Sequence, residues 1–247
     1  MDIKSYLDST YLKLPAQSGL TSEQTWEEVK KITEEAISNH FFLVMIRPEY
    51  VQRVKKLILN SNSKVQVGTV IGFHEGTYLL ESKLKEAKQA IKDGADELDY
   101  VINYTAFKNG DLDLVKEEFV QGTSLGLKEA KIVKWIIEIA ALSDEQIQSI
   151  CSLMSQWAQE NFDSSQWNNI FIKSSTGFYQ TEDGKPNGAT FPAIEIMLKY
   201  SQPLPVKAAG GVRTYDEAVK MIKMGVKRIG TSSAKALSQN EGSSNSY

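Results

Sequence analysis

Two lysines stand at matching places in two short apolar segments of this 247-residue chain. Lys173 lies in segment 171–177 (FIKSSTG), and Lys207 lies in segment 205–213 (PVKAAGGVR). A buried cation is costly unless it is paired or used. On adjacent strands, about 4.8 Å apart, the two amines would come close together. Burial and like charge would then both favour a neutral amine, which can attack a carbonyl carbon.

Side-chain alternation along a strand supports an inward direction for both lysines. Lys173 points away from the face that carries Ile170 and Ile172, and Lys207 points away from Val206 and Ala208. The alternative is a pair of surface lysines that extend into solvent at strand ends. Because there are two, each followed by a glycine-containing turn, we favour a functional pair.

Three further charged residues fall within predicted strands. Asp99 alternates with Leu98 and Tyr100, so its carboxylate would share the interior with the lysines. It can serve in proton transfer or form a structural ion pair, and the spacing leaves both open. Lys134 and Glu138 share one face of the fifth predicted strand. They either shape the polar pocket or satisfy each other and nearby backbone groups, and we favour a supporting role.

These side chains must be positioned by alternating strands and helices. We predict strands over residues 5–8, 41–46, 64–71, 97–101, 133–139, 170–174, 206–209 and 228–230. We predict helices over residues 21–39, 48–59, 78–93, 111–122, 143–160, 191–200, 214–224 and 232–237. Eight such repeats in a chain of about 250 residues are typical of a parallel (β/α)8 TIM barrel. Polar residues at many strand ends favour the barrel over an open doubly wound sheet, whose site lies at one switch point.

The chain is predicted to form one domain over residues 1–237, followed by a flexible polar tail over residues 238–247. The tail ends in Tyr247, which either reaches the site or is a disordered end.

Glycines and serines near the ends of the last strands predict an anion site. In barrels, phosphate often binds to the loops after strands seven and eight, beside a short helix. Gly210 and Gly211 follow strand seven, and Ser232 and Ser233 follow strand eight. Glycines let backbone N–H groups approach an anion, and serines add hydroxyl donors. Gly177, which follows Lys173, would form a third side of the anion site. Arg213 either contacts the anion or caps the next helix.

Composition limits the other possibilities. The net charge of −3 gives no basic stripe, so we expect no nucleic-acid partner. Cys151, the one cysteine, cannot form an internal disulfide and lies in a helical apolar pattern, which indicates packing in a reducing cytosol. No apolar run reaches about 18 residues, so a cytoplasmic protein without membrane segments is expected. The two histidines are far apart and nucleotide motifs are missing, so no metal and no cofactor are predicted.

With these motifs in view, the chain resembles the class I, Schiff-base deoxyribose-phosphate aldolases over nearly its whole length. The resemblance is carried by segments 7–10, 94–99, 171–177, 207–213 and 230–233, with Gly72 and Gly76 around the loop after strand three. It implies that Lys173 forms the Schiff base with acetaldehyde, that Lys207 lowers its pKa, and that Asp99 joins Lys207 in a proton relay through water. It further implies that Gly177, Gly210, Gly211, Ser232 and Ser233 hold the 5-phosphate.

The implied partners are a sugar phosphate and acetaldehyde, and the family suggests a homodimer. Met45 stands where the family often has cysteine, which we interpret as neutral packing. His74 stands where proline is usual, and Ile139 replaces a frequent threonine; both are predicted to border the pocket. Neither the departure at His74 nor that at Ile139 removes the lysine chemistry.

Two alternatives stay open: a Schiff-base aldolase with another donor, and a non-catalytic sugar-phosphate-binding barrel.

Overall fold

Eight parallel strands close into one barrel in the computed structural model, which describes residues 1–182 and 184–239. The strands are β1 Leu7–Tyr11, β2 Leu43–Ile46, β3 Gln66–Ile71, β4 Glu97–Val101, β5 Ile132–Ile136, β6 Ile170–Lys173, β7 Val206–Ala209 and β8 Arg228–Thr231. Each strand pairs with the next in sequence, and the pairing of Leu7 with Ile229 closes the ring. The predicted TIM barrel is confirmed.

Two predicted strands differ from the structure by more than two residues at one end. The first was placed at residues 5–8, but residues Lys4–Tyr6 form a 3-10 turn and β1 continues to Tyr11. The fifth was extended to residue 139, but β5 ends at Ile136. The reason lies at Glu138, whose φ of 56° is incompatible with an extended strand.

Ten helices lie between and after the strands within the described residues. They are α1 Pro15–Ser18, α2 Ser22–Asn39, α3 Val51–Asn60, α4 Leu80–Lys92, α5 Tyr104–Lys108, α6 Leu112–Lys128, α7 Asp144–Asn161, α8 Phe191–Tyr200, α9 Tyr215–Met224 and α10 Ala234–Ser238. A capping box begins α2, because the side chains of Thr21 and Gln24 each accept a hydrogen bond from the other residue's backbone N–H. No described helix is long and apolar enough to cross a bilayer.

Helix α6 was predicted to end at Gly122 but continues to Lys128. Its two glycines are packing positions rather than helix breakers. A Cβ on Gly122 would lie 2.8 Å from the Trp135 ring, and one on Gly126 would overlap Val133. Their small size therefore lets α6 lie directly against β5, and this close contact outweighs the low helix propensity of glycine.

Strand alternation divides the hydrophobic core into two clusters. The larger one lies between barrel and helices and includes Ile172, Val206 and Ala208, as predicted from the alternation. Cys151 is buried in the same outer cluster, which confirms its packing role. The smaller cluster fills part of the barrel interior with Leu12, Leu43, Met45, Val70, Phe73, Val101 and Ile136. The other part of the interior holds charged side chains.

Candidate active site

Lys173 and Lys207 meet inside the barrel. They are direct partners in the pairing of β6 with β7, and both are buried. Each donates to the same oxygen, Asp99 Oδ2, at 2.8 Å and 2.9 Å respectively. Asp99 belongs to β4, which is not adjacent to either strand, so these bonds cross the interior. The structure thus brings together the three residues predicted as catalytic.

Asp99 receives three ammonium groups. Besides the two lysines on Oδ2, Lys134 donates to Oδ1 at 2.7 Å. Burial raises the pKa of Asp99, but the charges of Lys134, Lys173 and Lys207 outweigh it and hold the pKa well below its usual range. Asp99 is therefore ionised at neutral pH and acts as an acceptor.

The two central lysines have opposite pKa shifts. Burial is the largest influence on Lys173; Asp99 opposes it, Lys207 assists it, and the pKa falls to about 8. Burial also lowers the pKa of Lys207, but the carboxylates of Asp8 and Asp99 outweigh it and raise that pKa. Lys173 is thus the amine that loses its proton more easily. Of the two influences expected from the sequence, burial lowers the pKa of Lys173 more than the charge of Lys207 does.

Sequence reasoning missed the ionic network beneath this pair. Lys207 forms an ion pair with Asp8 at 2.5 Å, and Arg228 donates to Asp8 from Nε at 2.8 Å. Arg228 Nη1 donates to Glu97 at 2.9 Å, and Lys134 also contacts Glu97. Each of these side chains points inward from a strand with the required alternation. Charged residues within apolar strands were the available signal, but the pairings depend on barrel closure.

The network carries more cations than carboxylates. Among the described residues, it contains four cations, Lys134, Lys173, Lys207 and Arg228, and three carboxylates, Asp8, Glu97 and Asp99. Net charge in a poorly solvated interior is unfavourable. Loss of a proton from Lys173 leaves the network neutral, in agreement with the lowered pKa of that lysine.

Lys134 and Glu138 do not bond to each other, which was one of the two alternatives considered for them. Lys134 bonds to Glu97 and Asp99, whereas Glu138 accepts hydrogen bonds from Thr176. The difference arises because β5 ends before Glu138, so the two residues do not share a strand face.

Two of the three predicted phosphate loops touch through their glycines. Gly177, Gly210 and Gly211 have φ of 81°, 77° and 74°, which favours glycine. A Cβ on Gly210 would lie 3.6 Å from Gly177 Cα. Sequence reasoning missed Gly188, where a Cβ would lie 2.7 Å from Gly210 Cα. The sequence feature that could have indicated Gly188 is the turn-rich segment 184–188 (GKPNG) in which it lies.

The third loop joins the same end of the barrel. Thr231 Oγ1 donates to Val212 O at 3.3 Å and accepts from the backbone N–H of Ser233 at 3.1 Å. Ser232 is exposed and Ser233 is half-buried at the start of α10. The Arg213 backbone N–H donates to Glu217, within the first turn of α9.

The three departures from the family pattern lie in different surroundings. Met45 is buried in the interior apolar cluster. The His74 ring stacks on Phe178 at 5.7 Å between centroids, beside Phe73. Ile139 packs in the outer core. Tyr247 lies outside the described residues.

Comparisons with known proteins identify relatives of this chain. The sequence model of the DeoC/LacD family aldolases matches residues 8–152. A deoxyribose-phosphate aldolase from Thermococcus gammatolerans is 38% identical over 234 residues, which cover 94% of this chain and 93% of that protein. One from Streptococcus gordonii is 36% identical over 248 residues and covers 100% of both chains. The tetrameric deoxyribose phosphate aldolase from Aeropyrum pernix superposes with a TM-score of 0.76 at 27% identity, over 96% of this chain and 89% of that chain.

A closed (β/α)8 barrel with charged residues inside it, together with these relatives, defines an aldolase of the lyase class. The chain belongs to the DeoC/LacD aldolase family, and its relatives at 35–38% identity are deoxyribose-phosphate aldolases.

Proposed function

We propose that this protein reversibly cleaves 2-deoxy-D-ribose 5-phosphate to acetaldehyde and D-glyceraldehyde 3-phosphate through a Schiff base on Lys173. The observation that carries the proposal is the shared oxygen of Asp99, at which Lys173 and Lys207 meet with opposite pKa shifts. At a pKa of about 8, roughly a tenth of Lys173 is neutral at pH 7, which suffices for nucleophilic attack.

The substrate phosphate would bind at the loops of Gly177, Gly210 and Gly211, with Ser232 and Ser233 as further donors. Their backbone N–H groups and hydroxyls suit a dianion. This would place the open-chain sugar along the barrel axis, with its aldehyde towards Lys173.

Neutral Lys173 would attack the C1 aldehyde carbon, and loss of water would give an iminium. Transfer of the C3 hydroxyl proton to a water molecule of the Asp99–Lys207 relay would break the C2–C3 bond and release glyceraldehyde 3-phosphate. The electron pair of that bond would move to the iminium nitrogen and leave a two-carbon enamine. Lys207 remains protonated beside Asp99 and would supply, through water, the proton that converts the enamine carbon to a methyl group. Hydrolysis would then free acetaldehyde and Lys173.

Borohydride reduction in the presence of acetaldehyde tests the assignment. Peptide mass spectrometry should find one ethyl group on Lys173, and the Lys173→Met variant should carry none. An ethyl group on Lys207 or Lys134 instead, or full turnover without any adduct, would refute the mechanism. A non-catalytic binding barrel would give no adduct, and product analysis with several aldehydes separates an aldolase with another donor.

A further inference from the structure

Glu138 is a buried carboxyl that the proposed mechanism does not use. Its φ of 56° is rare for a residue with a side chain, and such a backbone persists where the surroundings fix it. On either side of it, Ile137 N–H donates to Lys173 O at 3.0 Å and Ile139 N–H donates to Ser174 O at 2.9 Å. The backbone around Glu138 is thus bonded to the segment that carries Lys173.

The side chain of Glu138 reaches the turn formed by residues 174–178, here called the Lys173 turn. Thr176 donates to Glu138 Oε2 from its backbone N–H at 3.1 Å and from its hydroxyl. The same hydroxyl accepts from Phe178 N–H at 3.0 Å. One carboxylate oxygen therefore holds Thr176 directly and Phe178 through the Thr176 hydroxyl. These two residues are the chain neighbours of Gly177.

The other oxygen of Glu138, Oε1, is buried and has no hydrogen-bond partner among the described residues. Burial raises the pKa of Glu138 to about 7, while the Thr176 bonds and the charge of Lys173 lower it. Tyr104 of α5 is another titratable neighbour, and Glu138 contributes to raising its pKa. Both forms of Glu138 are consequently populated near neutral pH.

We propose that Glu138 is a positioning residue, whose ionised carboxylate holds the Lys173 turn so that Gly177 faces the substrate phosphate and Lys173 faces the aldehyde carbon. The inference rests on the proposed function. Charge-assisted hydrogen bonds are roughly twice as strong as neutral ones. Protonation of Glu138 would therefore weaken both Thr176 bonds and loosen the turn.

The pH profile of kcat/KM, which reports the free enzyme, tests this role. The wild type should show two inflections on its acid side, one from Lys173 near pH 8 and one from Glu138 near pH 7. Glu138→Gln keeps an accepting oxygen but cannot titrate, so it should lose the second inflection. At pH 8.5 it should be about tenfold less active than the wild type, because a charge-assisted bond is replaced by a neutral one. This difference in activity should disappear below pH 6, where Glu138 of the wild type is protonated. Titration of the substrate phosphate affects the wild type and the variant equally, so it cancels in the ratio of their kcat/KM values.

Two further variants keep the test decisive. Thr176→Val removes the hydroxyl bond that lowers the Glu138 pKa, so the second inflection should move to higher pH. Glu86→Gln is a matched control: it alters a second carboxyl with a raised pKa, which is partly buried and accepts from Gly72 N–H, and it should leave both inflections in place.

Persistence of two inflections in Glu138→Gln, or an unmoved inflection in Thr176→Val, would refute the role of Glu138. Borohydride trapping at Lys173 of the wild type separates the two hypotheses. An intact adduct with an unchanged Glu138→Gln profile rejects the inference alone, whereas a missing adduct rejects the proposed function.

Discussion

The barrel interior has two contrasting halves. One is charged and is built from β1, the start and middle of β4, and β5 to β8, with Asp8, Glu97, Asp99, Lys134, Lys173, Lys207 and Arg228. The other is apolar and is built mainly from β2 and β3, with Leu43, Met45 and Val70, and with Val101 and Ile136 at its border. Ile136 is the direct strand partner of Lys173, so this lysine lies at the boundary between the halves.

The contrast explains why Lys173 and Lys207 differ. Lys207 lies inside the charged half, where Asp8 and Asp99 together outweigh burial and raise its pKa. Lys173 has Asp99 but borders apolar side chains, so burial dominates and its pKa falls to about 8. A reactive amine thus arises at the edge of an ionic network, where its charge is least compensated.

Replacement of Lys173, the lysine at the boundary between the two halves, should have the largest effect on activity. Lys173→Met removes the nucleophile, and we expect turnover to fall by about 10⁴-fold or more, as for loss of other covalent nucleophiles. Steady-state cleavage of deoxyribose 5-phosphate measures this. Retention of even a tenth of the activity would show that the boundary position has no special role.

Removal of Lys207, the lysine inside the charged half, should have the next largest effect on activity. Lys207→Leu should lower kcat by about 10²- to 10⁴-fold, the usual contribution of a positioned proton donor. It also removes a cation that lowers the pKa of Lys173, so that pKa should rise and the acid limb of the pH profile should move to higher pH. Lys207→Arg keeps the charge and is the matched control. An unmoved limb in Lys207→Leu would contradict the electrostatic coupling.

The acid limb itself gives a third test. Neutral Lys173 is the reactive form, so kcat/KM of the wild type should increase as the pH rises from 7 towards 9, through the Lys173 pKa of about 8. A profile that declines over this range would mean that the protonated amine is the active form.

Removal of Arg228 should weaken the fold. Arg228→Met leaves Asp8 and Glu97 buried with less compensation, and loss of one partner from a buried ion pair costs about 3–5 kcal/mol. Urea denaturation measures the change in the free energy of unfolding. The control is Lys116→Met, which breaks the half-exposed pair with Glu160 and should cost about 1 kcal/mol or less. Equal losses in both variants would remove the distinction between interior and surface charges.

A substitution in the apolar half should have the smallest effect. Met45→Leu nearly conserves volume in a buried apolar cluster, so it should cost less than about 1.5 kcal/mol and leave the pH profile unchanged. A shifted Lys173 limb in this variant would show that the apolar half tunes the amine through a specific contact rather than through burial.

Much of the fold and part of the site could be predicted from local patterns. Seven of the eight strands overlap most of their predicted ranges, and alternation alone directs Lys173 and Lys207 inward. The pattern failed at β1, a short polar strand, and at Glu138, where hydrogen bonds to the Lys173 segment impose a left-handed backbone. Such bonds come from residues distant in sequence, so no local pattern could reveal them.

The sequence by itself determined the eightfold alternation, the inward lysines and the glycines of the loops, because these depend on periodicity and residue type. The partners of the charges were decided only in three dimensions. Arg228 meets Asp8 across 220 residues, and Lys207 meets Asp99 across 108, because closure of the barrel brings the first and last strands together and turns β4 towards β7. The pKa of Lys173 depends on which charges surround it and how deeply it is buried, and both are properties of the closed barrel.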